Sequence, residues 1–294
     1  MAARVGALVV SALALLAATS LCIHAAPCSD LPPLPPDTFC VDSRGCCNFT
    51  TVQAAVDAIP DNSPKRSVVW INSGTHMEKL LVPATKTNVT FQGQGMDSTI
   101  LLWNDTAASA KTTGASASVH VQADGFVAKN LTFKNSSPPP EPGAEHAQAV
   151  ALRIHGDRAA FWGCGFFGAQ DTLYDDAGRH FFKQCFIQGS IDFVFGDGRS
   201  MYQAISCPDD RGSHTNIPDI VAPEGWGEWG NSTAADRTVF FGEYRCYGEG
   251  SKTEGRVMYE KKLGDEEAQH YMDLSYIDGN EWIKPFNDSL IIAS

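Results

Sequence analysis

The segment Cys164-Gly165-Phe166-Phe167-Gly168-Ala169-Gln170-Asp171-Thr172-Leu173 recurs 21 residues later as Cys185-Phe186-Ile187-Gln188-Gly189-Ser190-Ile191-Asp192-Phe193-Val194. Cys164 falls on Cys185, Phe166 on Ile187, Gly168 on Gly189, Asp171 on Asp192 and Leu173 on Val194. Self-similarity at that period, carried by aromatic and β-branched residues between glycines, marks coils stacked in a solenoid. Equivalent side chains on successive coils sit about 4.8 Å apart, so the repeat places two carboxylates, and two thiols, one above the other. Carboxylates that close do not readily ionise together, and one is driven toward its protonated form while the other stays charged. The pair offers an acid beside a nucleophile or base, against the plainer alternative of a structural aspartate ladder. Cys164 and Cys185 are a disulfide candidate, provided their Cβ vectors agree.

A chain of 294 residues is long enough for one solenoid domain. Its net charge of −12 argues against nucleic acid and anionic membranes as partners, and a polyanionic ligand would need a locally neutral or basic groove. Arg4, an apolar run over 5–18 and the small residues after it predict a secretory signal over 1–26, followed by a Cys/Pro-rich leader over 27–48. The run is short for a membrane span, and no later segment approaches that length. Nine cysteines and seven Asn-x-Ser/Thr sequons, at Asn48, Asn88, Asn104, Asn130, Asn135, Asn231 and Asn287, fit a secreted chain. The histidines and cysteines show no His-Glu-x-x-His or Cys-x-x-Cys spacing, so neither a metal nor a cofactor is expected.

Residues 51–59 space Val52, Ala55, Val56 and Ile59 at helical intervals behind Thr51, predicting a short helix that closes one end of the solenoid. From Ser67 onward the pattern is of short strands: 68–71, 88–91, 99–102, 119–121, 126–133, 150–154 and the two repeated coils. No crossover helix interrupts them, which predicts parallel coils. Gly93-Gln94-Gly95 reads as a tight turn, since no helix follows to make a phosphate loop, and the proline run at 138–143 as a stiff surface loop.

At these residues the chain resembles the plant pectin methylesterases (pectinesterases). Gln148-Ala149-Val150-Ala151-Leu152 resembles that family's QAVAL segment, 168–174 its GxQDTLY and 189–196 its GxxDFxFG. Residues 49–59, the Gly225-Trp226 and Trp229-Gly230 pairs and 240–244 match its two ends. The resemblance implies an all-β fold, a right-handed parallel β-helix over 49–285, with a tail at 286–294 and no inhibitor-like pro-domain. It implies Asp192 as nucleophile on the C6 methyl ester of galacturonate, Asp171 as acid and then base, and Gln148 and Gln170 as oxyanion donors. Tyr174, Phe193 and Trp226 would touch the sugar. The implied substrate is methyl-esterified pectin, and a monomer secreted to the cell wall is expected, with a proteinaceous pectinesterase inhibitor as a further partner.

One family motif, Leu-Gly-Arg-x-Trp, whose Arg pairs with the nucleophile, is absent from the sequence. Only 203–219 spans a stretch where the family carries about three more coils by the usual solenoid repeat. Without that cation the two aspartates tend to share a proton, which implies weakened catalysis unless Arg199 or Arg211 substitutes. A pectin-binding wall protein of little turnover is therefore the competing expectation. His76 stands where the family has Tyr and reads as structural. A β-helix lyase or polygalacturonase would need calcium-binding carboxylates or a wider carboxylate pair, and neither signature is present.

Overall fold

The computed structural model describes residues 34–35, 38–203, 222–225, 240–246 and 248–283. Strands of two to five residues alternate with turns, and every pairing between them is parallel. A seven-stranded sheet runs Thr38–Val41, Ser67–Ile71, Val89–Gln92, Val127–Lys129, Ala159–Trp162, Arg179–Lys183 and Arg199–Gln203. A second, five-stranded sheet runs Leu80–Val82, Val119–Val121, Leu152–Ile154, Leu173–Asp175 and Val194–Phe195. A third, also of five strands, runs Gly74–Met77, Thr99–Trp103, Thr132–Asn135, Gly165–Phe167 and Phe186–Gln188. The chain visits the first, third and second sheets in turn, which is the course of a right-handed parallel β-helix.

The 21-residue repeat appears in the register, where Phe166 pairs with Ile187 and Leu173 with Val194. Bends between strands fall at residues in the left-handed region, for example Asn130 (φ 53°), Gly163 (φ 58°) and Gln184 (φ 53°) at one corner of three successive coils. Asn130 thereby divides the strand expected at 126–133 into Val127–Lys129 and Thr132–Asn135. Inside the coils, aromatic rings repeat in line: Phe161 stacks on Phe182 at 4.6 Å, and Phe182 on Tyr202 at 4.5 Å. Each buried phenylalanine contributes about 1.5–3 kcal/mol, and such ring pairs about 0.5–1.5 kcal/mol more.

The helix Val52–Ala58 covers the first coils with Val52, Ala55 and Val56. Its N-terminus is closed by the Thr51 hydroxyl, which accepts from Ala54 N, and by the Glu78 carboxylate, which accepts from Val52 N (2.8 Å) and Gln53 N (3.0 Å). His76 is buried, its Nε2 3.0 Å from the Asn72 carbonyl. On the seven-stranded sheet, Ile277, Trp282 and Ile283 pack against Val127, Ala160 and Phe181. Arg179 ties this layer down by bridging Asp157 and Asp278, and Arg199 joins the same Asp278. Arg199 is thus committed on the seven-stranded sheet and does not serve as the substitute cation that the sequence suggested.

The expected Cys164–Cys185 disulfide is not formed. Both side chains are buried free thiols, stacked one coil apart, with Phe186 N donating to the Cys164 carbonyl (2.9 Å). In-register parallel strands hold equivalent Cβ atoms about 4.8 Å apart and pointing the same way, whereas a disulfide wants them near 3.8 Å and convergent. Cys40 and Cys47, across a tight turn with Cα atoms 5.2 Å apart, are bonded instead. The signal at 1–26, Arg211, Trp226, most of 203–219, the tail at 286–294 and the sequons at Asn231 and Asn287 lie outside the described residues.

Candidate active site

Asp171 and Asp192 occupy the same place on successive coils, just ahead of Leu173–Asp175 and Val194–Phe195. A bridge pairs Gln170 with Ile191, and Asp171 N donates to the Ile191 carbonyl (2.9 Å), so the two carboxylates are stacked as the repeat requires. Both residues are left-handed, with φ of 62° and 45°. Aspartate tolerates this region better than most residues, yet two such positions in succession are a local cost that the surrounding ladder holds in place.

Their environments differ. Asp171 is only 7% exposed while Asp192 faces solvent. Burial, with the negative charge of Asp192 added, raises the Asp171 pKa to about 6. The difference arises from position in the solenoid, because Asp171 has a coil on each side and Asp192 lies on the last coil of its sheet among the described residues. One carboxyl is therefore disposed to carry a proton next to a charged neighbour.

Gln148 and Gln170 line the same cleft, whose volume is about 830 Å³. Among the described residues, neither side-chain amide donates a hydrogen bond. Gln148 Oε1 and Asp171 Oδ1 are both buried with no partner there. A buried polar atom left unpaired costs about 1–3 kcal/mol, and two of them converging on one cleft mark a place built for a ligand.

The wall beside the pair is aromatic. Tyr174 stacks on Phe195 at 4.3 Å, and the guanidinium of Arg153 lies 5.1 Å from the Tyr174 ring centre. Arg153, Tyr174 and Phe195 are equivalent positions on three coils. The sequence reading found Tyr174 but missed the other two, although stepping 21 residues either way from Tyr174 reaches them. Phe193, expected from the sequence to touch the sugar, is 40% exposed and is not part of the cleft lining; its carbonyl accepts from Leu173 N. Thr112, Thr113 and Gly114 also line the cleft, Gly114 lying against the Arg153 guanidinium, and nothing in their local sequence points to that position. Among the described residues no group of His, Cys, Asp and Glu could hold a metal ion.

The family model for Pectinesterase matches residues 38–214 and 212–280. Probable pectinesterase 8 of Arabidopsis thaliana is 43% identical over 316 aligned residues, covering 88% of this chain and 80% of that protein. Putative pectinesterase 14 of the same plant is 38% identical over 312, covering 88% and 93%. The structure of pectin methylesterase from carrot superposes with a TM-score of 0.77 at 28% identity, over 88% of this chain and 98% of that one. Because 88% of a 294-residue chain cannot fill 316 aligned positions, pectinesterase 8 has residues with no counterpart here. By the family model's match along most of its length, and by relatives of this closeness, the chain belongs to the pectinesterase family.

Proposed function

We propose that this pectinesterase hydrolyses the C6 methyl esters of homogalacturonan through Asp192 and Asp171. The observation that carries the reading is the stacked pair itself, one carboxyl exposed and charged, the other buried with its pKa raised to about 6, opening on a cleft with two uncommitted glutamine amides. An Asp192 oxygen attacks the ester carbonyl carbon, whose π electrons move to the oxygen and are met there by the amide N–H groups of Gln148 and Gln170. As the carbonyl reforms, the C–OMe bond breaks and Asp171 gives its proton to the methoxide, releasing methanol. The resulting anhydride between Asp192 and the sugar C6 is attacked by water, whose proton passes to Asp171. Asp192 departs as a carboxylate, and the acid is restored.

The apolar run after Arg4 and the seven sequons support secretion to the cell wall as a glycosylated protein. The structure keeps Asn48, Asn104 and Asn130 exposed for such modification and buries Asn135. A monomer is proposed, with pectin and a proteinaceous inhibitor as partners. One observation favours a second reading, a pectin-binding protein of weak turnover: among the described residues no cation pairs with either carboxylate, and the family's Leu-Gly-Arg-x-Trp is absent. The family model's match changes over at 212–214, which supports a loss of coils there.

The test is incubation of a fully methyl-esterified oligogalacturonide with the purified protein. The expected result is methanol and free carboxylate in equal amounts with the oligomer length unchanged. Shortened chains without methanol would overturn the reading, and binding without methanol would establish the second one.

A further inference from the structure

Gln148 stands ahead of the strand Leu152–Ile154, outside the regular ladder of its sheet, so its place depends on what grips the stretch 148–151. Toward the next coil that grip is backbone: Ala149 N donates to the Gln170 carbonyl (3.0 Å) and Ala151 N to the Thr172 carbonyl (2.9 Å). On the other side the stretch meets the excursion over 104–118, which leaves Thr99–Trp103, carries Thr112, Thr113 and Gly114 to the cleft and returns at Val119–Val121. Ala107 N donates to the Gln148 carbonyl (2.7 Å), and Val150 N donates to the Ser116 hydroxyl (3.1 Å). One side chain joins these parts. Asn135, the last residue of Thr132–Asn135, is 3% exposed. Its Nδ2 donates to the carbonyls of Asp105 (2.9 Å) and Val150 (3.1 Å), with the Ser116 carbonyl at 3.4 Å sharing a hydrogen. Its Oδ1 accepts from Ser137 N (3.0 Å). Asp105 lies where the excursion departs, Ser116 where it returns, and Val150 just after Gln148. An amide turned the other way would set its oxygen against three carbonyls, so the partners admit one orientation only.

We propose that Asn135 is a positioning residue for Gln148: it fastens both ends of the cleft-lining excursion to the stretch that carries this oxyanion donor, and so fixes where the Gln148 amide meets the reacting ester. An oxyanion donor is effective only when it is held in place before charge develops. Among the described residues the Gln148 amide donates no hydrogen bond of its own, so its aim is set by its backbone and packing. Asn135 also opens an Asn-x-Ser sequon. A glycan on Nδ2 would leave a single N–H for these carbonyls and has no space in a buried position, so the folded, secreted protein carries Asn135 bare. The inference rests on the pectinesterase reading above, and one arm of its test is independent of turnover.

The turnover-independent arm is hydrogen exchange followed by mass spectrometry on the full chain. Asn135→Ala is expected to speed exchange about tenfold or more in peptides over 105–117 and 148–152, with less than about a twofold change over 159–167 and 180–187, because the opening is local. The kinetic arm is a double-mutant cycle on methyl-esterified pectin. Asn135→Ala should lower kcat about tenfold or more, the size of one or two lost hydrogen bonds, with KM within about twofold. In the Gln148→Ala background the same change should cost less than about twofold, since a residue that acts through Gln148 has nothing left to position. Ser116→Ala, which removes only the Val150 N partner, should show the same pattern in milder form and keeps the test open if Asn135→Ala does not fold. Uniform exchange across the chain, no change in exchange, full additivity with Gln148→Ala, or a glycan found on Asn135 of the folded protein would overturn the proposal. Methanol release by the wild-type protein decides the pectinesterase reading separately; if there is none, the exchange arm still decides whether Asn135 holds the Gln148 stretch.

Discussion

Asp192→Asn is expected to bring methanol release from pectin down to the background of uncatalysed hydrolysis, a loss on the order of 10³–10⁶-fold in kcat. An amide has neither the charge nor the available lone pair of a carboxylate, so the acyl-enzyme does not form, whatever the rest of the cleft provides. The substitution is conservative everywhere else. Asparagine tolerates the left-handed φ of 45° as aspartate does, and the side chain is exposed with no ion pair among the described residues. Stability should therefore move by no more than about 0.5 kcal/mol, as for surface changes generally. A folded variant retaining a tenth or more of wild-type release would show that the nucleophile is elsewhere.

Asp171→Asn is expected to cost turnover and add stability at once. The variant has no proton to give to methoxide and no base to activate water, so kcat should fall on the order of 10³-fold or more, with acylation and deacylation both impaired. The stability sign follows from the raised pKa. The folded state binds the Asp171 proton more tightly than the unfolded chain, so this residue destabilises the fold progressively as pH rises from the unfolded value of 3.8 through about 6. At about 1.4 kcal/mol per unit, the wild type carries a penalty of about 2–3 kcal/mol at pH 7 that is absent near pH 4. Removing the carboxylate removes the penalty. Thermal melts should place the variant above the wild type by several degrees at pH 7, with the gap closing by pH 4; a gap independent of pH would mean that Asp171 titrates normally.

Much of this site was legible in the repeated segment. A period of 21 residues fixes which side chains stack, and the register of Phe166 on Ile187 and Leu173 on Val194 carries Asp171 onto Asp192 without any knowledge of the turns. Other parts were not. Gly74–Met77, Leu80–Val82, Ala159–Trp162 and Arg179–Lys183 are three to five residues long and separated by tight corners, too short for an alternating pattern to declare itself. The cysteine pair shows the limit of stacking arguments, because proximity along the solenoid axis says nothing of convergence. Arg153 and Phe195 are each Tyr174 displaced by one repeat, but a cation, a phenol and a phenyl ring share no residue type, so the ladder position alone relates them. Thr112–Gly114 come from a long excursion between coils, and only the folded chain brings them to the cleft.

The central claim is that burial divides a stacked carboxylate pair into an acid and a nucleophile, and the pH dependence of kcat/KM for methanol release reads that division in the free enzyme. Asp171 must be protonated for acylation, so kcat/KM should fall as pH rises through about 6. A value that stays level or climbs from pH 5 to pH 8 would contradict the assignment of Asp171 as the acid.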